Sequence, residues 1–130
     1  MTAMTHSDVI NLVNNAKLQQ IRAGSSFPFM SLSIMVVSDR LFCRRYHFDE
    51  PSWHTAFLAD SSGSIKADDV VIPVDAIVPH DLDAINVALN EAFRVRFGNK
   101  VPQEVLDKAI DERAMASTLE VIPRIKPLPR

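Results

Sequence analysis

The spacing of apolar residues changes repeatedly along the chain, and each change marks a new element. Near the N-terminus Val9, Val13, Ala16 and Gln20 share one helical face, with Ile10 and Ile21 beside it. That spacing predicts an amphipathic helix ended by Gly24. His6 or Ser7 can cap its start, and Asp8 complements the positive end of its dipole. GSSFP (24–28) predicts a loop, because proline disfavours helix in the residue before it. In FMSLSIMVV (29–37) the period becomes two: Met30, Leu32, Ile34 and Val36 point one way, Ser31 and Ser33 the other. RLFCRRYHF (40–48) alternates again, with Phe42, Arg44, Tyr46 and Phe48 opposite Leu41, Cys43, Arg45 and His47. Ser38-Asp39 lies between the two runs, and a two-residue break predicts an antiparallel hairpin.

Asp49, Glu50, Pro51 and Ser52 surround a helix start, and the short helix that follows turns Trp53, Ala56 and Phe57 inward. SSGS (61–64) breaks it. SIKA and VVIPVDAIV, joined at Asp68-Asp69, predict a second hairpin, with Pro73 at an edge or bulge because it lacks an N–H. PHDLDAINVALNEAFRVRFG (79–98) predicts a helix with Leu82, Ile85, Leu89 and Phe93 inward and Gly98 as a left-handed exit. Pro102 suits the first turn of a further helix, QEVLDKAIDERAMAS, which buries Leu106, Ala109, Ile110 and Ala114. TLEVIPR (118–124) predicts a closing strand, and residues 124–130 form a proline-punctuated tail. Hairpins cannot build an all-parallel sheet, so residues 1–130 predict one α+β domain with an antiparallel sheet or small barrel.

A net charge of −2 gives no global field that favours nucleic acid or anionic lipid. No apolar stretch approaches the roughly 20 residues that span a bilayer, and the N-terminus has no signal-peptide pattern. With a single cysteine, Cys43, the expected compartment is the cytoplasm. Three glycines cannot build a Walker loop or GxGxxG.

Cys43, His47, Asp49, Glu50 and His54 cluster in sequence, as metal ligands would. Strand geometry, however, holds Cys43 and His47 roughly 13 Å apart, too far for one ion, so no metal site is expected. No nucleophile elbow occurs, and Cys43 in an apolar strand reads as an inert buried thiol. Asp68-Asp69 and Asp111-Glu112 read as turn and helix surface, because adjacent carboxylates diverge in space.

Arg44 is different, because it shares a strand face with Phe42, Tyr46 and Phe48. A guanidinium there is either exposed or buried against a partner. A phosphate or carboxylate would match its planar fork, with Trp53 starting a helix next to it. Equally, Arg44 can stack on aromatics or pair with Asp49 or Glu50 while Trp53 plugs the core. The residues alone favour this second arrangement.

RLFCRRYHFDEPSWHTAFLADSSGSI resembles a pattern from a bacterial family of domains of unknown function, number 2255. Its members read Y-V-R-S, a short gap, W-Y-R-A-A, then G-R-I. The counterparts are Phe42-Cys43-Arg44-Arg45, Trp53-His54-Thr55-Ala56-Phe57 and Ser64-Ile65. LNEAFRVRFG is similar to D-A-A-Y-R-x-K-Y-G, and TLEVIPR to T-L-R-L-V-P-R. The resemblance implies an antiparallel split β-barrel of the pyridoxamine-phosphate-oxidase type with flanking helices. It also implies a homodimer that binds FMN or a deazaflavin between its subunits, with reductase chemistry.

On that resemblance Arg44 would hold the cofactor phosphate, and Trp53 would wall it. Arg45, His54 and Arg124 would be further contacts. No catalytic acid or base stands out; His54 is the nearest candidate. The chain departs from the pattern at Thr55 (arginine in the family), Arg45 (serine) and Asp69 (glycine). Those departures motivate the alternative, a cofactor-free dimeric ligand-binding or interaction module on the same fold. Apolar residues on both strand faces, Met35 and Val37 opposite Ile34 and Val36, also favour a dimer.

Overall fold

A computed structural model describes residues 4–45 and 52–125. Helix α1 (His6–Asn15) is capped by Thr5, one residue before His6 and two before Ser7, the expected caps. Thr5 accepts the Asp8 N–H while the Asp8 carboxylate accepts the Thr5 N–H, a reciprocal capping box that draws the Asp8 pKa down. Contrary to the expected run to Gly24, the helix stops at Asn15 and the chain re-enters as strand β1 (Gln19–Ala23). The two patterns overlap here. Ile21 and Ala23 alternate inward as a strand requires, but the third inward position is the polar Gln19.

Gln19 also explains why 29–37 is two strands rather than one. After β2 (Met30–Ser31) pairs with β1, the chain leaves that edge before β3 (Met35–Val37) begins. In the gap, the buried Gln19 amide accepts the Ile34 N–H at 2.8 Å and donates to the Ile34 and Val13 carbonyls. A side chain thus replaces the missing ladder bonds. Strand β4 (Arg40–Cys43) then closes the expected hairpin, with Val37 opposite Arg40. Ser38 and Asp39 take φ of 51° and 59°, the paired positive values of a type I′ turn.

Helix α2 (Trp53–Ala59) is capped by Ser52, whose hydroxyl accepts the Thr55 N–H. Strand β5 (Ser62–Ala67) starts earlier than SIKA, inside SSGS. Gly63 permits this, because a Cβ there would run into the Arg22 carbonyl and the Phe57 ring. Strand β6 (Val70–Ile77) completes the second hairpin through Asp68, whose carboxylate also accepts the Lys17 and Leu18 N–H groups. Pro73 sits opposite Ser64, at the point where pairing to the next neighbour is about to begin.

Helix α3 (Leu82–Phe97) buries Ile85, Leu89 and Phe93 as expected, but Gly98 is right-handed (φ −41°), not a left-handed exit. The predicted helix over 103–117 is two: α4 (Gln103–Ile110) and α5 (Glu112–Ala116). They are separated at Asp111, whose carboxylate caps the Ala114 N–H and turns the chain. Strand β7 (Leu119–Pro123) is last, and its successor Arg124 donates its N–H to the Pro73 carbonyl.

Among the described residues, these elements form a mixed α+β structure around one antiparallel seven-stranded sheet, ordered β2-β1-β5-β6-β7-β4-β3. The sheet curls into a half-barrel. One face carries Ile21, Ile65, Val74, Leu119, Leu41 and Cys43 against α1 and α2. At the β3–β4 end the other face presents Met35 and Phe42 to α3 and α4. Strand β4 therefore feeds two cores by alternation, Leu41 and Cys43 into one and Phe42 into the other. Among the described residues no helix is long and apolar enough to cross a membrane.

Candidate functional site

Alternation along β4 continues one residue past its end and carries Arg44 to the same side as Phe42. There it is fully buried, at 0% exposure. Its Nε donates to Thr118 Oγ1 at 3.0 Å. One terminal nitrogen donates to Asn90 Oδ1 at 2.7 Å and to the Ala109 carbonyl at 2.9 Å. The other donates to Asn86 Oδ1 at 2.8 Å, with the Asn86 carbonyl at 3.4 Å. The guanidinium carbon lies 5.3 Å from the centre of the Phe93 ring, a cation–π distance.

The partners are themselves satisfied. Thr118 Oγ1 donates to Asn86 Oδ1, and the Asn86 amide donates to the Met115 carbonyl. One side chain thus joins the end of β4 to α3, α4 and the start of β7.

Arg45 leaves on the opposite side and is also buried, and its backbone N–H donates to Ser117 Oγ at 3.0 Å. His54 Nε2 donates to the Ser117 carbonyl at 2.9 Å. Trp53 meets His54 edge-to-face at 5.7 Å and Phe57 at 6.3 Å, half-buried against the larger core. Arg44, Arg45 and His54 therefore all anchor on Ser117 and Thr118, with Trp53 behind His54.

Arg124 does not join them. It follows β7 whereas Thr118 precedes it, a separation of roughly 20 Å along extended chain. Its fork holds both Asp75 oxygens, at 2.7 and 2.9 Å, and Ser62 Oγ at 2.9 Å. That pairing lowers the Asp75 pKa and raises that of Arg124.

Of the arrangements open to Arg44 from sequence, stacking on an aromatic ring is present, with Phe93 as the ring. Asp49 and Glu50, the other named partners, lie outside the described residues, as do Tyr46, His47, Phe48 and Pro51. The acceptors that seal Arg44 were missed from sequence. Asn86 and Asn90, four apart and flanking the Ile85–Leu89–Phe93 stripe, were the available signal.

Cys43 is buried in the larger core, and desolvation pushes its thiol up to about 12, so it stays protonated at neutral pH. No group of three or more potential metal ligands gathers among the described residues. The smaller core, on the Phe93 side of Arg44, is not filled to its edge. A cavity of about 340 Å³ opens between α3 and α4, and Phe93 and Ala109, both held by Arg44, form part of its wall.

Compared with protein-family models and with curated proteins, the chain matches none.

Proposed function

We propose that this protein is a homodimeric ligand-binding or interaction module on a split-barrel-type fold, in which Arg44 braces the fold rather than a cofactor phosphate. The curled antiparallel half-barrel supports the fold part of this reading. The observation that carries the functional part is the closure of Arg44: 0% exposed, with every guanidinium nitrogen donating to Thr118, Asn86, Asn90 or Ala109. A flavin or deazaflavin phosphate at that position would have to displace the two asparagine oxygens and reach a side chain that water does not reach. Arg124, expected as a further cofactor contact, is committed to Asp75 at the far end of β7. Arg44 and Arg124, two of the residues carried over from the family pattern, therefore fit a flavin phosphate poorly.

The dimer is supported by the outward face of the sheet. Val71 and Ile77 of β6 and Ile122 of β7 share that face and are 40–49% exposed, set beside the charged Asp75 and Glu120, a mixed surface that a second copy would cover.

The test uses purified protein mixed with FMN and with a deazaflavin at millimolar concentration. Neither is expected to shift the melting temperature or to show quenched fluorescence. Light scattering at micromolar concentration is expected to give about twice 14.5 kDa. A visible flavin spectrum in the freshly purified protein would overturn the cofactor-free reading, and a 14.5 kDa particle would overturn the dimer.

A further inference from the structure

The cavity between α3 and α4 has the composition of a small-molecule site. Phe93 and Phe97 stack 6.0 Å apart at 28° and, with Val101, Val105 and Leu106, make its walls apolar. Polar character comes from Ser33 on the sheet side and from Lys108 on α4, the one charged residue of the lining among the described residues. Apolar walls with a few placed polar groups are what orient small ligands. An apolar cavity of about 150 Å³ accepts benzene, so by proportion about 340 Å³ takes roughly a dozen non-hydrogen atoms.

The walls are also held in place. Arg44 binds the Ala109 carbonyl on α4 and both asparagines on α3, which fixes the helix pair on either side of the opening. A gap held open by a buried strut loses less entropy on binding than one that must be assembled.

We infer that this cavity binds a small arylalkyl or acyl monocarboxylate, its apolar body against Phe93 and Phe97 and its carboxylate toward Lys108 and Ser33. This rests on the binding-module reading and names the ligand class for it. The carboxylate preference follows from the Lys108 ammonium at the lining. The size limit follows from the volume. No covalent or redox step is involved.

The probe is 4-phenylbutyrate, compared with 4-phenylbutan-1-ol, which has nearly the same body and no charge. Calorimetric titration of the full chain is expected to give a Kd on the order of 0.1 mM for the acid. The alcohol should bind about two- to five-fold more weakly, as suits an exposed charge pair. Lys108→Gln should remove that difference while leaving the alcohol unchanged. Val105→Trp, at a half-exposed position that tolerates bulk, should fill the opening and abolish binding of both. Equal affinity for acid and alcohol in the unaltered protein would overturn the ligand class. No binding of either, or binding that survives Val105→Trp, would overturn the site. None of these outcomes depends on the flavin titration, so the pocket can fail while the cofactor-free reading stands.

Discussion

Arg40 and Arg44 leave the same face of β4 on either side of Phe42, yet their surroundings differ. Arg40 opens toward solvent with a 26% exposed side chain. It holds Asp81 through both terminal nitrogens at 2.8 and 2.9 Å and Glu120 at 2.8 and 3.1 Å. Arg44 is sealed, and its described partners are two amides, a hydroxyl and backbone carbonyls. The half-buried site resembles a built anion receptor, but its anions are the protein's own carboxylates. The sealed site is the one that a strand-face pattern singles out as a ligand grip.

The lesson concerns where the energy lies. Exposed ion pairs are screened and contribute little. A buried guanidinium is expensive to disturb, because every removed partner strands a desolvated polar group.

That contrast can be broken most forcefully at Arg44. Arg44→Ala should cost about 3–5 kcal/mol in urea unfolding, since it empties a buried site and takes the guanidinium donor from the Asn90 side-chain oxygen and the Ala109 carbonyl. A loss under about 1 kcal/mol would erase the difference between the two arginines. Asn86→Ala should follow at about 1–3 kcal/mol, measured the same way, because Arg44 and the Thr118 hydroxyl both lose their shared acceptor.

At the open end the signature is pH dependence rather than size. Hydrogen bonds from Arg40 hold the Asp81 pKa down to about 2, below its ordinary 3.8. A depressed folded pKa stabilises fully above the unfolded value and is lost as pH falls through the folded one. Melting temperature should therefore decline as pH falls from about 4 to 2, and Asp81→Asn should flatten that decline, melting below the unaltered protein at pH 7 and converging with it near pH 2. Smallest of all, Arg124→Gln should move the melting temperature by about 1 °C or less. Its effect should add to that of Asn86→Ala, because the two networks share no residue.

Much of the fold was readable from periodicity. The Ser38-Asp39 hairpin, the 67–70 turn and the inward stripe of α3 all follow local rules that tertiary contacts did not override. The first strand was not readable, because Gln19 occupies an inward position for the sake of Ile34, a partner fifteen residues away. The break at Asp111 was hidden for a related reason: an aspartate inside an apolar repeat looks like helix surface until its carboxylate caps the following turn.

At the candidate site the sequence offered a buried, aromatic-stacked Arg44 as one of two arrangements. It gave no direct view of the seal, whose parts come from residues 86, 90, 109 and 118. Only the sheet order that sets β7 beside β4 brings those segments together.

The central claim, that Arg44 is closed to outside anions, is best tested by nitrogen-15 NMR of its Nε–H, assigned by its loss in Arg44→Lys. The account predicts a slowly exchanging resonance that does not move on adding millimolar phosphate or FMN. A resonance that exchanges rapidly with water, or that shifts and saturates with either anion, would contradict it.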